Sequence, residues 1–153
     1  MIYAELAGGL GNQMFIYAFA RALGLRCGEG VTLLDRQDWR DGAPAHTVCA
    51  LGALNISPAV EILADSGFAK SHLPRQNAAK ALMIKYEQHR GLLARDWHGF
   101  EAAAAPLLNT LGLHFATDGY TPVRRGHARD FLAWGYFQSE RYFADVADVI
   151  KTE

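Results

Sequence analysis

The sequence predicts an α/β fold, a Rossmann-like parallel sheet with flanking helices, as a single domain over residues 1–153. A short apolar run, Ile2 to Leu6, leads straight into the glycine-rich stretch GGLGNQ at residues 8–13. A strongly apolar segment with helical spacing follows, and a second short apolar run, Val31 to Leu34, comes after it. Strand, loop, helix and strand in that order form a βαβ unit, which implies parallel pairing through a right-handed crossover.

Each element has its own signal. In the first strand Tyr3 and Glu5 fall on the alternate face. The helix from Gln13 to about Leu25 carries Phe15, Phe19, Ala22 and Leu23 on one stripe at i, i+4, i+7 and i+8. Met14, Tyr17 and Ala18 extend its apolar surface, and only Arg21 and Arg26 read as solvated, so it packs on more than one side. Gly24, Gly28 and Gly30 supply a stop and a turn. The stretch DRQDWRDGAPAHT reads as a polar loop. Pro74 to Arg90 reads as an amphipathic helix with Ala78, Leu82 and Tyr86 four apart and Lys80, Lys85, Glu87 and Arg90 exposed. A helix over Glu101 to Leu111, despite Pro106, precedes a strand at Leu113 to Phe115 and a turn at Asp118-Gly119. Phe131 to Tyr136 reads as a strand, and Ser139 to Lys151 as a closing helix with Ser139 at its N-cap.

Bulk composition narrows the functional classes. Half of the residues are hydrophobic and a fifth charged, a globular balance. The formal net charge of −1 gives no field that favours nucleic acid or an anionic membrane. No stretch approaches the roughly 18 continuous apolar residues of a membrane span, and Glu5 and the glycines interrupt any signal-peptide core. Cys27 and Cys49 are too few and too far apart for a disulfide framework and read as reduced, half-buried residues of a cytoplasmic protein. The six histidines are scattered without ligand spacing, so no metal site is expected.

The GGLGNQ loop admits competing readings. As a dinucleotide fingerprint it fits only through Gly9 and Gly11, because Met14 stands where a third small residue belongs. No Gly-Lys-Ser/Thr follows, so it is not a Walker loop. A looser anion site at a helix N-terminus would use Gly8, Gly9 and Gly11 for close backbone approach and the Asn12 amide as a donor. Asn12 as a simple helix cap beside a tight glycine turn explains the same residues. Spacing leaves both readings open.

The stretch GGLGNQMFIYAFARAL closely resembles the opening motif of the bacterial α-1,2-fucosyltransferases, glycosyltransferases that use GDP-fucose. LAWGYFQSERYFADVADVI, residues 132–150, is similar to that family's segment around Gly-Tyr-(Phe/Trp)-Gln-Ser-Glu-(Lys/Arg)-Tyr-Phe. The resemblance implies a GT-B-type architecture, in which two α/β domains face each other across a cleft. It places Gly9, Gly11, Asn12 and Gln13 at the donor or reacting sugar. The implied reaction is metal-independent transfer of L-fucose from GDP-fucose to the 2-hydroxyl of a galactoside with inversion, and no Asp-x-Asp motif is present. GDP-fucose is then a substrate, no cofactor is required, and the expected location is the bacterial cytoplasm, with association at the inner membrane surface left open.

One signature departs from the pattern. The family's His-x-Arg-Arg-Gly-Asp segment, whose arginine would neutralise the leaving GDP, has no counterpart between Gln138-Ser139-Glu140 and Glu153. PVRRGHARD contains Arg124-Arg125-Gly126 but lies before that motif, with Pro122 and His127 at the flanks, and reads as a solvated basic loop. The chain is therefore expected to correspond to the N-terminal, acceptor-side domain, inactive without a donor-binding domain and able to self-associate through an exposed inter-domain face. A non-catalytic carbohydrate-binding or assembly module of the same fold is the alternative. No catalytic base is assigned. Glu140 reads as a helix-terminal carboxylate and Tyr136 and Phe143 as packing, while Trp39 and Asp96-Trp97-His98 are unassigned candidates for sugar stacking.

Overall fold

A computed structural model of the chain describes residues 1–36, 49–65, 67–93 and 96–153. Its strands β1 (Ile2–Glu5), β2 (Val31–Arg36), β3 (Val60–Asp65), β4 (Leu113–Ala116) and β5 (Phe131–Gly135) form one sheet in the order β3-β2-β1-β5-β4. Every pairing is parallel, and Ile2 lies between Val31 and Phe131 in register. The predicted Rossmann-like α/β class is what forms.

Helix α1 (Leu10–Cys27) follows β1 and ends at Gly28, whose N–H bonds the Gly24 carbonyl. It packs Ile16, Phe19, Ala20 and Leu23 against Ile2, Ala4, Val31, Leu33, Phe131 and Ala133. Each such fully buried large apolar side chain contributes about 1.5–3 kcal/mol. The opposite face is covered by α2 (Phe68–His72), α3 (Pro74–Gln88) and α5 (Trp97–Thr110), with the short α4 (Arg90–Leu93) following α3. There Leu73, Met83, Trp97 and Leu108 meet Leu34, Leu113, Phe115 and Leu132. The β1–β2 connection runs over one face, where Leu51 and Ile56 ahead of β3 also pack, and the helices between β3 and β4 lie over the other, as one hand of crossover requires.

Three expectations need correction. On α3 the predicted apolar stripe faces outward, with Leu82 54% exposed, while Gln76, Lys80 and Met83 face the sheet. Lys80, expected among the exposed charges, is buried because it pairs with Glu5 at the end of β1, and Gln76 Nε2 donates to the Asp130 carbonyl at 3.0 Å. The closing helix is broken into 3₁₀ turns at Glu140–Tyr142 and Ala144–Val146 before α6 (Ala147–Thr152). Arg26 Nη2 donates to the Tyr142 carbonyl at 2.8 Å, occupying an acceptor a continuous helix would use. Of the two arginines read as solvated, Arg26 is exposed and pairs with Asp145 at the surface, whereas Arg21 is half-buried, its Nη2 donating to Glu153 Oε1 at 2.6 Å. Strand β3 and helix α2 carried no expectation, and α5 starts earlier than predicted because the Asp96 carboxylate caps Gly99 N–H at 2.9 Å. Cys27 and Cys49 are half-buried and unbonded.

Candidate functional site

Strands β1 and β5 are neighbours at the centre of the sheet, yet the chain leaves β1 toward one edge and returns to β5 from the other. In open parallel sheets ligands bind beyond the carboxyl ends of strands at such a reversal. Both segments that carry the family resemblance lie there, since GGLGNQ follows β1 and Tyr136-Phe137-Gln138-Ser139 follows β5.

Gly8 has φ +68°, and a Cβ there would fall 2.4 Å from Asn12 Nδ2, so only glycine admits the fold-back of Asn12 over the loop. Gly9, in extended conformation, is the N-cap of α1, and no side chain caps it. Asn12 therefore lies in the first turn rather than at the cap, and its Oδ1 accepts from Gln138 Nε2 at 2.6 Å. Its own amide nitrogen has no hydrogen-bond partner among the described residues. Gln13 is buried and braces the loop, Nε2 donating to the Gly8 carbonyl at 2.9 Å and Oε1 accepting from Ala50 N–H at 2.9 Å. Gly11 is exposed, and nothing lies within 4 Å of a Cβ built on it. The uncapped N–H groups and the helix dipole leave this end of α1 electropositive.

Beside the loop a crevice of about 590 Å³ opens over the ends of β1 and β5. Its wall includes Glu5, Ala7, Glu87, Arg90, Asp118, Trp134 and Tyr136. At its base Glu5 and Lys80 form a buried ion pair. The opposite wall is held by Glu101, itself fully buried on α5. Glu101 Oε1 accepts from Trp97 Nε1 at 3.0 Å, Thr117 N–H at 2.8 Å and Thr117 Oγ1 at 2.6 Å, and Oε2 accepts from Asp118 N–H at 3.1 Å.

The β5 end is tightly constrained. Gly135 has φ +149°, and a Cβ there would lie 1.8 Å from the Ala116 carbonyl oxygen. Phe137 holds φ +51°, an unusual conformation for a bulky residue, and stacks on Phe19 with ring centroids 4.0 Å apart. Tyr136 is 39% exposed on the crevice wall, which corrects its expected packing role, whereas Phe143 does pack, against Phe15. Tyr142 is buried beside Phe19 and Phe137; burial pushes its phenol up to about 12 although its oxygen accepts Thr121 N–H at 2.8 Å. Ser139 accepts from Arg141 N–H at 3.4 Å, capping only a 3₁₀ turn, and Glu140 is exposed.

On the other side of the loop Gly11, Met14, Ala18, Leu51, Phe143 and Ile150 line an apolar groove of about 530 Å³. Arg125, by contrast, lies at the amino end of the sheet, where its Nε meets Glu29 Oε1 at 3.0 Å and its Nη1 and Nη2 donate to the Gly126 and Arg129 carbonyls at 2.9 and 3.0 Å. Arg125 thus straps the segment down, while Arg124, His127 and Arg129 are exposed, so the solvated basic loop holds except at Arg125. Trp97 is a core residue, and Trp39 lies outside the described residues.

Sequence reasoning missed Glu5, Lys80, Glu101 and Asp118. The available signal was Glu101 itself, a lone carboxylate in the apolar run FEAAAAPLL. Among the described residues no group of His, Cys, Asp and Glu could hold a metal ion, and no helix is long and apolar enough to cross a membrane. No protein-family model matches the chain, and no curated protein and no solved structure matches it.

Proposed function

We propose that this chain is the N-terminal, acceptor-side part of a GT-B-type glycosyltransferase that moves L-fucose from GDP-fucose to the 2-hydroxyl of a galactoside. The observation that carries the reading is the Asn12–Gln138 hydrogen bond. The two segments that resemble the fucosyltransferases, at opposite ends of the sequence, meet through it at the carboxyl edge of the sheet.

The roles follow from the chemistry of each group. Gly9 and Gly11 let a sugar nucleotide approach the uncapped end of α1, where backbone N–H groups and the dipole suit a diphosphate. The Asn12 amide nitrogen donates to the donor or the reacting sugar, and Gln13 keeps the loop in shape. Charge that develops on the departing GDP needs further cations, which a donor-binding domain would supply. The chain alone binds but does not turn over. No metal is required.

The test is to fuse residues 1–153 to the donor-binding domain of a bacterial α-1,2-fucosyltransferase and to measure fucose transfer to a galactoside. The reading expects transfer that depends on Asn12. A folded fusion that binds GDP-fucose and transfers nothing overturns it.

A further inference from the structure

The crevice over β1 and β5 differs in charge from the neighbouring end of α1. Glu5 is neutralised by Lys80, and Glu87 lies 3.9 Å from Arg90. Asp118 then leaves the lining with a net negative balance. Such a wall disfavours a diphosphate. It suits an uncharged ligand rich in hydroxyls, because a carboxylate only accepts and hydroxyls supply the donors. Trp134, stacked on Phe115 at 4.7 Å, and the exposed Tyr136 add aromatic surface to the same wall. A volume of about 590 Å³ falls within the usual range for small-molecule sites.

Asp118 is also held in place. Glu101 gathers Thr117 and Asp118 backbone N–H groups and the Thr117 hydroxyl, so the first two residues after β4 cannot swing away without stripping a buried carboxylate of donors. A carboxylate with four hydrogen bonds is more than the end of a strand needs, and its effect is to fix the chain that carries Asp118 against the crevice.

We infer that this crevice is the subsite for an uncharged polyhydroxylated ring, the acceptor sugar, with Asp118 accepting its hydroxyls and Glu101 as a positioning residue behind it. This rests on the proposed function for the identity of the ring as acceptor. The binding chemistry itself rests only on the crevice.

The experiment is an amide-resolved NMR titration of the 153-residue chain with methyl β-galactoside, up to the solubility limit of the sugar, with inorganic pyrophosphate titrated separately. Saturable shifts are expected at Thr117, Asp118, Gly135 and Tyr136, and pyrophosphate should leave these amides unmoved. Asp118→Asn should weaken galactoside binding about tenfold without altering the fold. Glu101→Gln presents an amide nitrogen toward a donor and should weaken binding while displacing the Thr117 and Asp118 resonances. The absence of shifts, shifts confined to other residues, or unchanged affinity in Asp118→Asn overturns the inference. Fucose transfer by the fusion together with a silent crevice would sink the subsite alone, whereas galactoside binding here without transfer would sink the functional reading and leave the subsite standing.

Discussion

At the amino end of the sheet, Glu29 pairs with both the Met1 ammonium and Arg125. Arg125 binds Glu29 and the carbonyls that precede β5, and lies over the Phe131 ring at 5.3 Å. At the carboxyl end a helix begins without a side-chain cap, Gly11 is exposed, Phe137 sits in a left-handed conformation, and a crevice lies open. The fold thus ties an ionic cluster down at one end and leaves the uncapped backbone donors of α1 facing outward at the other. Among the described residues the one non-glycine with positive φ, Phe137, sits at this open end, as expected of an end kept for a ligand.

The sharpest way to break this contrast is Gly135→Ala. A Cβ against the Ala116 oxygen, at a φ only glycine tolerates, should cost about 4 kcal/mol in urea unfolding. Lys80→Ala removes the ammonium partner of buried Glu5 and should cost about 3 kcal/mol in the same assay.

His114 gives a smaller, pH-dependent effect. It lies fully buried on β4, 5.6 Å from Phe19 and 5.9 Å from Phe137, and its Nε2 has no partner among the described residues. Burial pushes its imidazole down to about 3 from an ordinary 6.5. The unfolded chain therefore binds a proton that the folded chain refuses, and stability is lost as pH falls from 6.5 toward 3. Between pH 7 and pH 5 the loss should be about 2 kcal/mol, and His114→Leu should flatten that part of the stability profile. Glu153 acts in the same direction at lower pH. Its hydrogen bonds from Arg21 hold its carboxyl below the ordinary 4.5, so the pair's contribution fades as pH falls below that value, and Arg21→Gln should remove this component.

The smallest stability effects fall where the reading places function. Gln138→Ala should cost about 0.5–1 kcal/mol, because the Asn12 contact is exposed. Gly11→Ala should be neutral or stabilise α1 by about 0.5–1 kcal/mol, since its Cβ meets nothing. Either variant should still impair transfer in the fusion.

How much was legible follows from what each element depends on. The β1–α1–β2 unit could be read because buried parallel strands are short apolar runs and α1 repeats its apolar residues at helical spacing. The inward face of α3 could not, because Gln76 and Lys80 are buried against Asp130 and Glu5, partners far away in sequence that periodicity does not register. The break in the closing helix depends on Arg26 reaching the Tyr142 carbonyl, another long-range contact. In the candidate site, GGLGNQ and the Gln138 segment stood out by resemblance. The crevice between them did not, for its wall is assembled from β1, α3, α4 and the ends of β4 and β5.

The central claim is that function lies at the carboxyl edge and structure at the amino edge. Its most direct test compares Asn12→Ala with Arg125→Ala in the fucosyltransferase fusion, with unfolding free energy and transfer rate per folded molecule measured together. Asn12→Ala should lower transfer about tenfold or more at a stability cost of about 0.5–1 kcal/mol, and Arg125→Ala should lower stability further while transfer per folded molecule holds. The reverse pattern, transfer lost with Arg125 and indifferent to Asn12, would contradict the account.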